Sequence, residues 1–372
     1  MRVDADVNTG VGHVMRCLAL AEELRLRGVD VSFLGQMDVL WLCDDLAGRG
    51  FAALPGPQTP LAIVECARAL RLDAMVLDSY ELDPACAGAL RDAGVATLAI
   101  VDGDTRGQVA DLYLDQNLGA DLSAAGLPDG ARSLTGARYA LVRDAVLAAR
   151  PTALTASQVA ADGTGHVAAD RTGQVAADGT GEVAGSPHVL CFFGGTDAYG
   201  AAPVVLRLLL ATGQALRATV VVARPELHDA LAGADLGPGQ EVMLIPPTDR
   251  LPQLVTSADL VLSASGTSTW DLLCLGAAVA LVWVVDNQRQ GFDRVVSRDL
   301  AAGLGKLDDL VGDRQTADRA TATLLSLLTE PRRRAELAAR AWRTVDGLGR
   351  ARVANALLTL TPKPVPAARS TP

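Results

Sequence analysis

The sequence predicts an α/β protein made of two doubly wound, Rossmann-like domains, and three observations carry that reading. Short aliphatic runs alternate with amphipathic stretches, the pattern of βα units that feed a parallel sheet. The pattern stops at a low-complexity segment and begins afresh at Val189. The chain has 372 residues, more than the roughly 300 at which a single hydrophobic core stops growing.

In the first half the clearest strands are Val29–Leu34, Ala74–Leu77, Thr97–Val101 and Leu112–Leu114. The stretch Val14–Arg27 sets Val14, Leu18, Ala21 and Leu24 on one helical face, and Gly28 supplies a stop. In the second half the strands are Val189–Phe193, Ala218–Ala223, Val242–Ile245, Leu260–Ser263 and Val279–Val284. Two helical patterns, Pro331–Val345 and Arg350–Leu358, close the chain ahead of a Pro-rich tail expected to be loose. Between the halves an eight-residue unit recurs from Gln158, first as Gln158-Val-Ala-Ala-Asp-Gly-Thr-Gly165. So little apolar bulk cannot build a solenoid core, so the repeats are expected to form a disordered linker. The plan is an α/β domain over 1–150, a linker over 151–187, a second α/β domain over 188–346, a crossing helix over 347–360 and a tail over 361–372.

The net charge is -10, with 33 Lys and Arg against 43 Asp and Glu. No long-range positive field exists to gather nucleic acid or an anionic membrane. A phosphate-bearing ligand must then be held locally, by loop amides, helix ends and single arginines. Cys17, Cys43, Cys66, Cys86, Cys191 and Cys274 form no Cys-x-x-Cys pair. They read as reduced thiols of a cytoplasmic chain, with no zinc site and no cofactor expected. A signal segment and a membrane-spanning apolar run are both missing from the pattern, which predicts a soluble protein.

The strongest local constellation is Arg2-Val-Asp4-Ala followed by Gly10-Val-Gly12-His13-Val-Met-Arg16. Paired glycines let the backbone turn tightly and approach a ligand, and the helix that follows aims free amides at a pyrophosphate or sugar. His13 stands at that helix mouth, where the positive end favours the neutral, proton-accepting imidazole. It serves either as a base or as a residue that merely caps the turn. Asp78 and Tyr80 end a buried strand at the sheet edge where open α/β proteins place ligands, and either contacts a sugar or caps the next helix. Asp102, Asp104 and Asn117 carry the same alternatives.

In the second half Gly194 and Gly195 follow a strand and leave room for phosphate or for another domain. Ser265-Gly266-Thr267-Ser268-Thr269 joins a strand to a helix and offers amides and hydroxyls to a diphosphate. Asp271, one turn on, either accepts ribose hydroxyls or compensates the helix dipole. Asn287 and Gln288 follow the next strand.

Taken in order, these motifs resemble the nucleotide-sugar hydrolase of pseudaminic acid biosynthesis and the related spore-coat polysaccharide biosynthesis proteins. The likeness extends through Leu77-Asp78-x-Tyr80, Asp115-x-Asn117, Gly136-x-x-Tyr139-Ala-Leu-x-Arg143, Phe193-Gly-Gly-Thr-Asp197 and Asp286-Asn287-Gln288, nearly the whole chain outside the repeats and tail. It implies a glycosyltransferase-B-like arrangement and metal-independent release of UDP from a diacetamido-trideoxy-hexose by water attack at the anomeric carbon. His13 would activate the water, with Arg2, Asp4, Gly10, Gly12, Asp78, Tyr80 and Asn117 on the sugar side. Gly194, Gly195, the Ser265–Thr269 loop, Asp271, Asn287 and Gln288 would hold the nucleotide, the loop and Asp271 by similarity to the lipid-linked peptidoglycan glycosyltransferase.

Three departures from that family stand out. Several apolar residues usually precede Arg-x-Asp, whereas Met1 does here, so either the first central strand is missing or the start lies upstream. Asp271 replaces the usual glutamate, and the octapeptides are inserted at the hinge. The expected activity is an inverting hydrolase acting on a UDP-sugar. The alternatives are a glycosyltransferase using a nucleotide-sugar donor and a nucleotide-sugar-binding protein without turnover.

Overall fold

The computed structural model describes residues 1–5, 11–155, 158 and 185–361. Gly10, the interior of the octapeptide array and the tail from residue 362 lie outside the described residues. The chain divides into two compact units, Met1–Leu141 joined by the stretch from Leu348, and Val142–Gly347.

The first unit holds β1 (Arg2–Val3), β2 (Ser32–Leu34), β3 (Ala52–Leu54), β4 (Ala74–Asp78), β5 (Ala96–Ile100), β6 (Leu112–Asp115) and β7 (Arg132–Thr135). They pair in parallel in the order β3-β2-β1-β4-β5-β6-β7. The first central strand is therefore present, which decides against the alternative that it is missing. It is only two residues long, yet Arg2 registers with both Leu34 and Leu77. A bridge between Ala5 and Met37 continues its line. The edge strands β3 and β7 escape sequence patterning because they are short and mostly exposed.

Helix Gly12–Leu26 is buried along most of its length, through Val14, Cys17, Leu18, Leu20, Ala21 and Leu24. It packs against the last helix, Gly349–Leu358, whose Val353, Ala354, Ala356 and Leu357 join the same core. The buried Glu22 carboxylate ties the two helices together, with Arg49 at 2.9 Å and Arg350 at 3.3 Å. The last helix also comes so close to Ala140 that a Cβ on Gly349 would lie 2.2 Å from its carbonyl oxygen.

The second unit contains β8 (His188–Phe192), β9 (Leu216–Val221), β10 (Gln240–Ile245), β11 (Leu260–Ala264), β12 (Val279–Trp283) and β13 (Ala302–Lys306). Their order, β10-β9-β8-β11-β12-β13, is again wholly parallel. Arg150 closes the C-terminal ends of helices Ser268–Cys274 and Pro331–Thr344 at once. Its guanidinium donates to the carbonyls of Cys274, Val345 and Trp342 and stacks 4.5 Å from the Trp342 ring centroid. Cations at helix ends satisfy the last carbonyls and complement the dipole.

Both sheets reverse direction of strand order at one point, β1 beside β4 in the first and β8 beside β11 in the second. Open α/β sheets bind ligands outside the carboxyl ends of strands at such a switch point. Among the described residues no helix is long and apolar enough to cross a membrane. Gly349→Ala is expected to destabilise the first unit by roughly 1–3 kcal/mol, the usual cost of overpacking. Urea unfolding with unchanged slope and a lower midpoint would report it.

Candidate functional site

The carboxyl ends of four adjacent strands of the first unit deliver polar side chains to one place. Asp4 follows β1, Asp78 ends β4, Asp102 follows β5, and Asp115 and Asn117 close β6. Helix Gly12–Leu26 opens beside them with His13 and Arg16 three positions apart, a spacing that puts both on one face. His13 Nδ1 lies 2.7 Å from Asp78 Oδ1. Arg16 Nε and Nη2 donate to the two oxygens of Asp78, each at 2.7 Å. The same guanidinium reaches Asp102 through Nη1 at 3.1 Å and Nη2 at 3.0 Å.

Asp102 passes the order outward. It accepts the Tyr80 hydroxyl at 2.6 Å and the Asn117 amide at 2.9 Å. Tyr80 packs edge-on to His13, with ring centroids 4.8 Å apart, and Arg106 covers its ring at 4.5 Å. Arg106 adopts a left-handed backbone with φ 50°. Few side chains do so, and strain of that kind concentrates at functional loops. Asp115 takes the Gly103 amide at 2.8 Å and the Asn117 amide group at 2.9 Å, fixing the loop that carries Asp102.

Burial pushes the Asp78 carboxyl up, but Arg16 and His13 outweigh it and hold it at about 2. Asp102 is likewise buried and still held well below the carboxylate range, chiefly by Arg16. Burial works against the Arg16 charge, and the two carboxylates more than restore it. The Tyr80 phenol is pushed up by burial and by the charge of Asp102, so it is a donor, never a phenolate. An ionised Asp78 can only accept, so His13 presents its Nδ1 proton to it, and in the neutral ring Nε2 is the acceptor nitrogen. Its side chain keeps 22% of its surface open to solvent.

Arg2 takes a different place from the one expected of a ligand contact. It is fully buried, donates from Nε to Pro57 at 2.9 Å and lies 2.7 Å from Asp4. Asp4, pinned also by the Gln36 amide and the Ser79 hydroxyl, is the partly exposed member of that pair. Gly12 opens the helix, while Gly10 lies outside the described residues.

In the second unit the predicted nucleotide residues gather at the switch point of its sheet. The Ser265 amide donates to Val282 at 2.7 Å and the Gly266 amide to Thr269 Oγ1 at 3.2 Å. The amides of Thr267 and Ser268 have no partner among the described residues. Gln288 Oε1 accepts from the Val284 amide at 2.9 Å, and its Nε2 would stand 3.8 Å from a Cβ on Gly266. Asn287 is exposed. Gly194 has φ 84° and Gly195 is exposed, after which Asp197 caps helix Ala201–Leu210 through the amides of Ala201 and Ala202. Asp271 pairs with Arg143 at 3.0 Å, and burial pushes its carboxyl up against the pull of that arginine. The two line a cavity of about 30 Å³ with Phe192, Val255 and Leu272.

Sequence reasoning singled out His13, Asp78, Tyr80 and Asn117, and the structure brings all four together. It missed the centre, Arg16, although the His13-to-Arg16 spacing held the signal. Among the described residues no three His, Cys, Asp or Glu side chains converge as a metal set.

A pair of parallel sheets, each with its switch point lined by polar loops, is the Rossmann-like domain pair of the glycosyltransferase-B-like fold. No family model and no curated protein matches the chain. Solved structures do. Acinetobacter baumannii MurG matches with a TM-score of 0.68 and 15% identity, covering 96% of this chain and 99% of that one. The putative UDP-N-acetylglucosamine 2-epimerase of Listeria monocytogenes matches at 0.60 and 12%, over 98% of both chains. Glycosyltransferase VinC, solved in complex with dTDP, matches at 0.58 and 14%, over 97% and 98%. Identities this low speak to fold alone, and they support the fold the sequence resemblance implied without supporting the pseudaminic acid or spore-coat family.

Asp78 supplies a test of the site's electrostatics. Its folded value near 2 lies below the ordinary 3.8, so the folded chain binds fewer protons than the unfolded one between them. The stabilisation, about 2 kcal/mol, is whole above about pH 4 and is lost as pH falls toward 2. Urea unfolding across that window is expected to show a shallower slope in Asp78→Asn than in the wild type, the remainder coming from Asp102.

Proposed function

We propose that this protein is an enzyme that transfers a glycosyl group from a nucleoside-diphosphate sugar, with His13 as its general base. The observation that carries the proposal is the His13–Asp78 contact at 2.7 Å, which commits Nδ1 to the carboxylate and leaves Nε2 of a partly open ring for the acceptor. In the reaction Nε2 takes the proton of an acceptor hydroxyl while its oxygen forms a bond to the anomeric carbon. The bond from that carbon to the diphosphate breaks, and the electron pair leaves with the nucleotide. Asp78 then faces the imidazolium and offsets its charge until the proton is released. Tyr80 and Asn117, whose hydrogens are held by Asp102 and Asp115, turn their oxygens outward to accept from sugar hydroxyls.

For the diphosphate, the unpartnered amides of Thr267 and Ser268 and the hydroxyls of the Ser265–Thr269 loop are the donors, a backbone solution suited to an acidic chain. Gly194 and Gly195 keep the neighbouring loop free of side chains, and Gln288 and Asn287 border it. Asp271, with one oxygen on Arg143, offers the other to the ribose.

Transfer is favoured over hydrolysis because named neighbours of this fold are glycosyltransferases, one of them holding a nucleoside diphosphate. Release of UDP from a diacetamido-trideoxy-hexose by water rests on the sequence resemblance alone and forms one arm of the test. Purified protein is incubated with UDP- and dTDP-sugars, with and without alcohol and sugar acceptors, and free nucleoside diphosphate is measured. Release that depends on an acceptor is expected. Release without one would replace transfer by hydrolysis, and interconversion of sugar epimers without release would replace it by epimerisation. His13→Ala is expected to lower turnover by about 10²–10⁴-fold while nucleotide affinity by calorimetry stays the same. Unchanged turnover would remove His13 from the mechanism.

A further inference from the structure

Arg16 is nearly solvent-free, with 4% of its side chain exposed, and it is the only group among the described residues that touches both Asp78 and Asp102 through charge-assisted bonds. Each carboxylate spends its inward lone pairs on this guanidinium and its outward ones on a reactive or binding group. Asp78 Oδ1 holds His13, while Asp102 Oδ2 holds the Tyr80 hydroxyl and Oδ1 the Asn117 amide. His13 and Tyr80 also touch each other edge to face. The groups therefore form a closed ring, from Arg16 through Asp78, His13, Tyr80 and Asp102 back to Arg16.

A planar fork with fixed donor directions can set two carboxylates at once, which an ammonium cannot. The groups packed around this ring include Asp115 and Cys17 as well. Asp115 is bound to the Gly103 amide and to Asn117, and the Cys17 thiol lies 3.6 Å from Asp78 Oδ2. Cys17 is buried with its thiol pushed up by that burial, and so supplies no charge.

We propose that Arg16 is the positioning residue of this site: by clamping Asp78 and Asp102 together it fixes the tautomer of His13 and the aim of Tyr80 as one unit. Its consequence for catalysis rests on His13 being the base, whereas its consequence for the His13 ring does not. Asp102 has no hydrogen bond to His13, so apart from the charge that the two feel through space, its hold on the His13 tautomer runs through this ring.

The experiment uses the full chain and two readouts. The chain has four histidines, so ¹⁵N-labelled imidazole spectra assign His13 by comparison with His13→Ala. The variants are Arg16→Lys, which keeps the charge and loses the fork, and Asp102→Asn, which keeps the volume. In the wild type His13 is expected as the Nδ1–H tautomer. In Arg16→Lys the spectrum should show a tautomer mixture, and kcat should fall about 10²-fold, the scale of a misplacement near 1 Å, while KM changes little. Asp102→Asn should disturb the His13 tautomer in the same direction. Should Arg16→Lys fail to melt cooperatively, Asp102→Asn decides the matter. A His13 spectrum identical to wild type in every folded variant overturns the proposal. Tautomer mixing in the variants of a protein that turns over no nucleotide-sugar at all would instead leave Arg16 as a clamp and remove the enzymatic reading.

Discussion

A guanidinium and a carboxylate held dry at 2.7 Å, Arg16 against Asp78, set the terms for the first unit. Taking either charge out of water alone costs several kcal/mol, and breaking such a pair strands the survivor. Here neither is stranded, because every oxygen of Asp78 and of Asp102 has a donor. The backbone keeps these partners in range. Asp78 is the last residue of a central strand, Arg16 sits in the second turn of a helix locked against the sheet, and Asp102 rides on a loop tied to Asp115. The result is a site whose side chains hold one another in place.

The second unit solves a related problem with other means. Its polar loops offer backbone amides and small hydroxyls at the switch point of the sheet, with few charged side chains among them. A protein of net charge -10 cannot draw a diphosphate by its overall field. Local donors of this kind are what such a chain can use. Asp271 stands beside these loops already paired, with Arg143 on one of its oxygens at 3.0 Å.

How much of this was legible beforehand follows from the physics of each signal. Buried parallel strands such as Leu260–Ala264 announce themselves as unbroken aliphatic runs, so most of both sheets could be drawn from the sequence. The strand Arg2–Val3 could not, because two residues make no pattern and its side chain at position 2 is a buried arginine. Ala52–Leu54 and Arg132–Thr135 were hidden for the opposite reason, too little burial to enforce a period. At the site, His13, Asp78, Tyr80 and Asn117 were found by position at strand and helix ends. Arg16 stood in the motif without a role, because only the fold reveals that its helix face looks onto two acids. Arg2 went the other way, expected at the ligand and found beneath Asp4.

The helix Gly349–Leu358 completes the core of a unit that otherwise ends at Leu141. During synthesis the ribosome must therefore deliver the whole of Val142–Gly347 before Val353 and Leu357 can fill their places beside Val14 and Leu18. The nascent first unit waits with an open flank and with Glu22 lacking Arg350 as one of its counter-charges. Contacts so distant in sequence form slowly, and unfinished domains expose apolar surface. The order of folding is thus set by the chain's own route: the unit begun first is finished last.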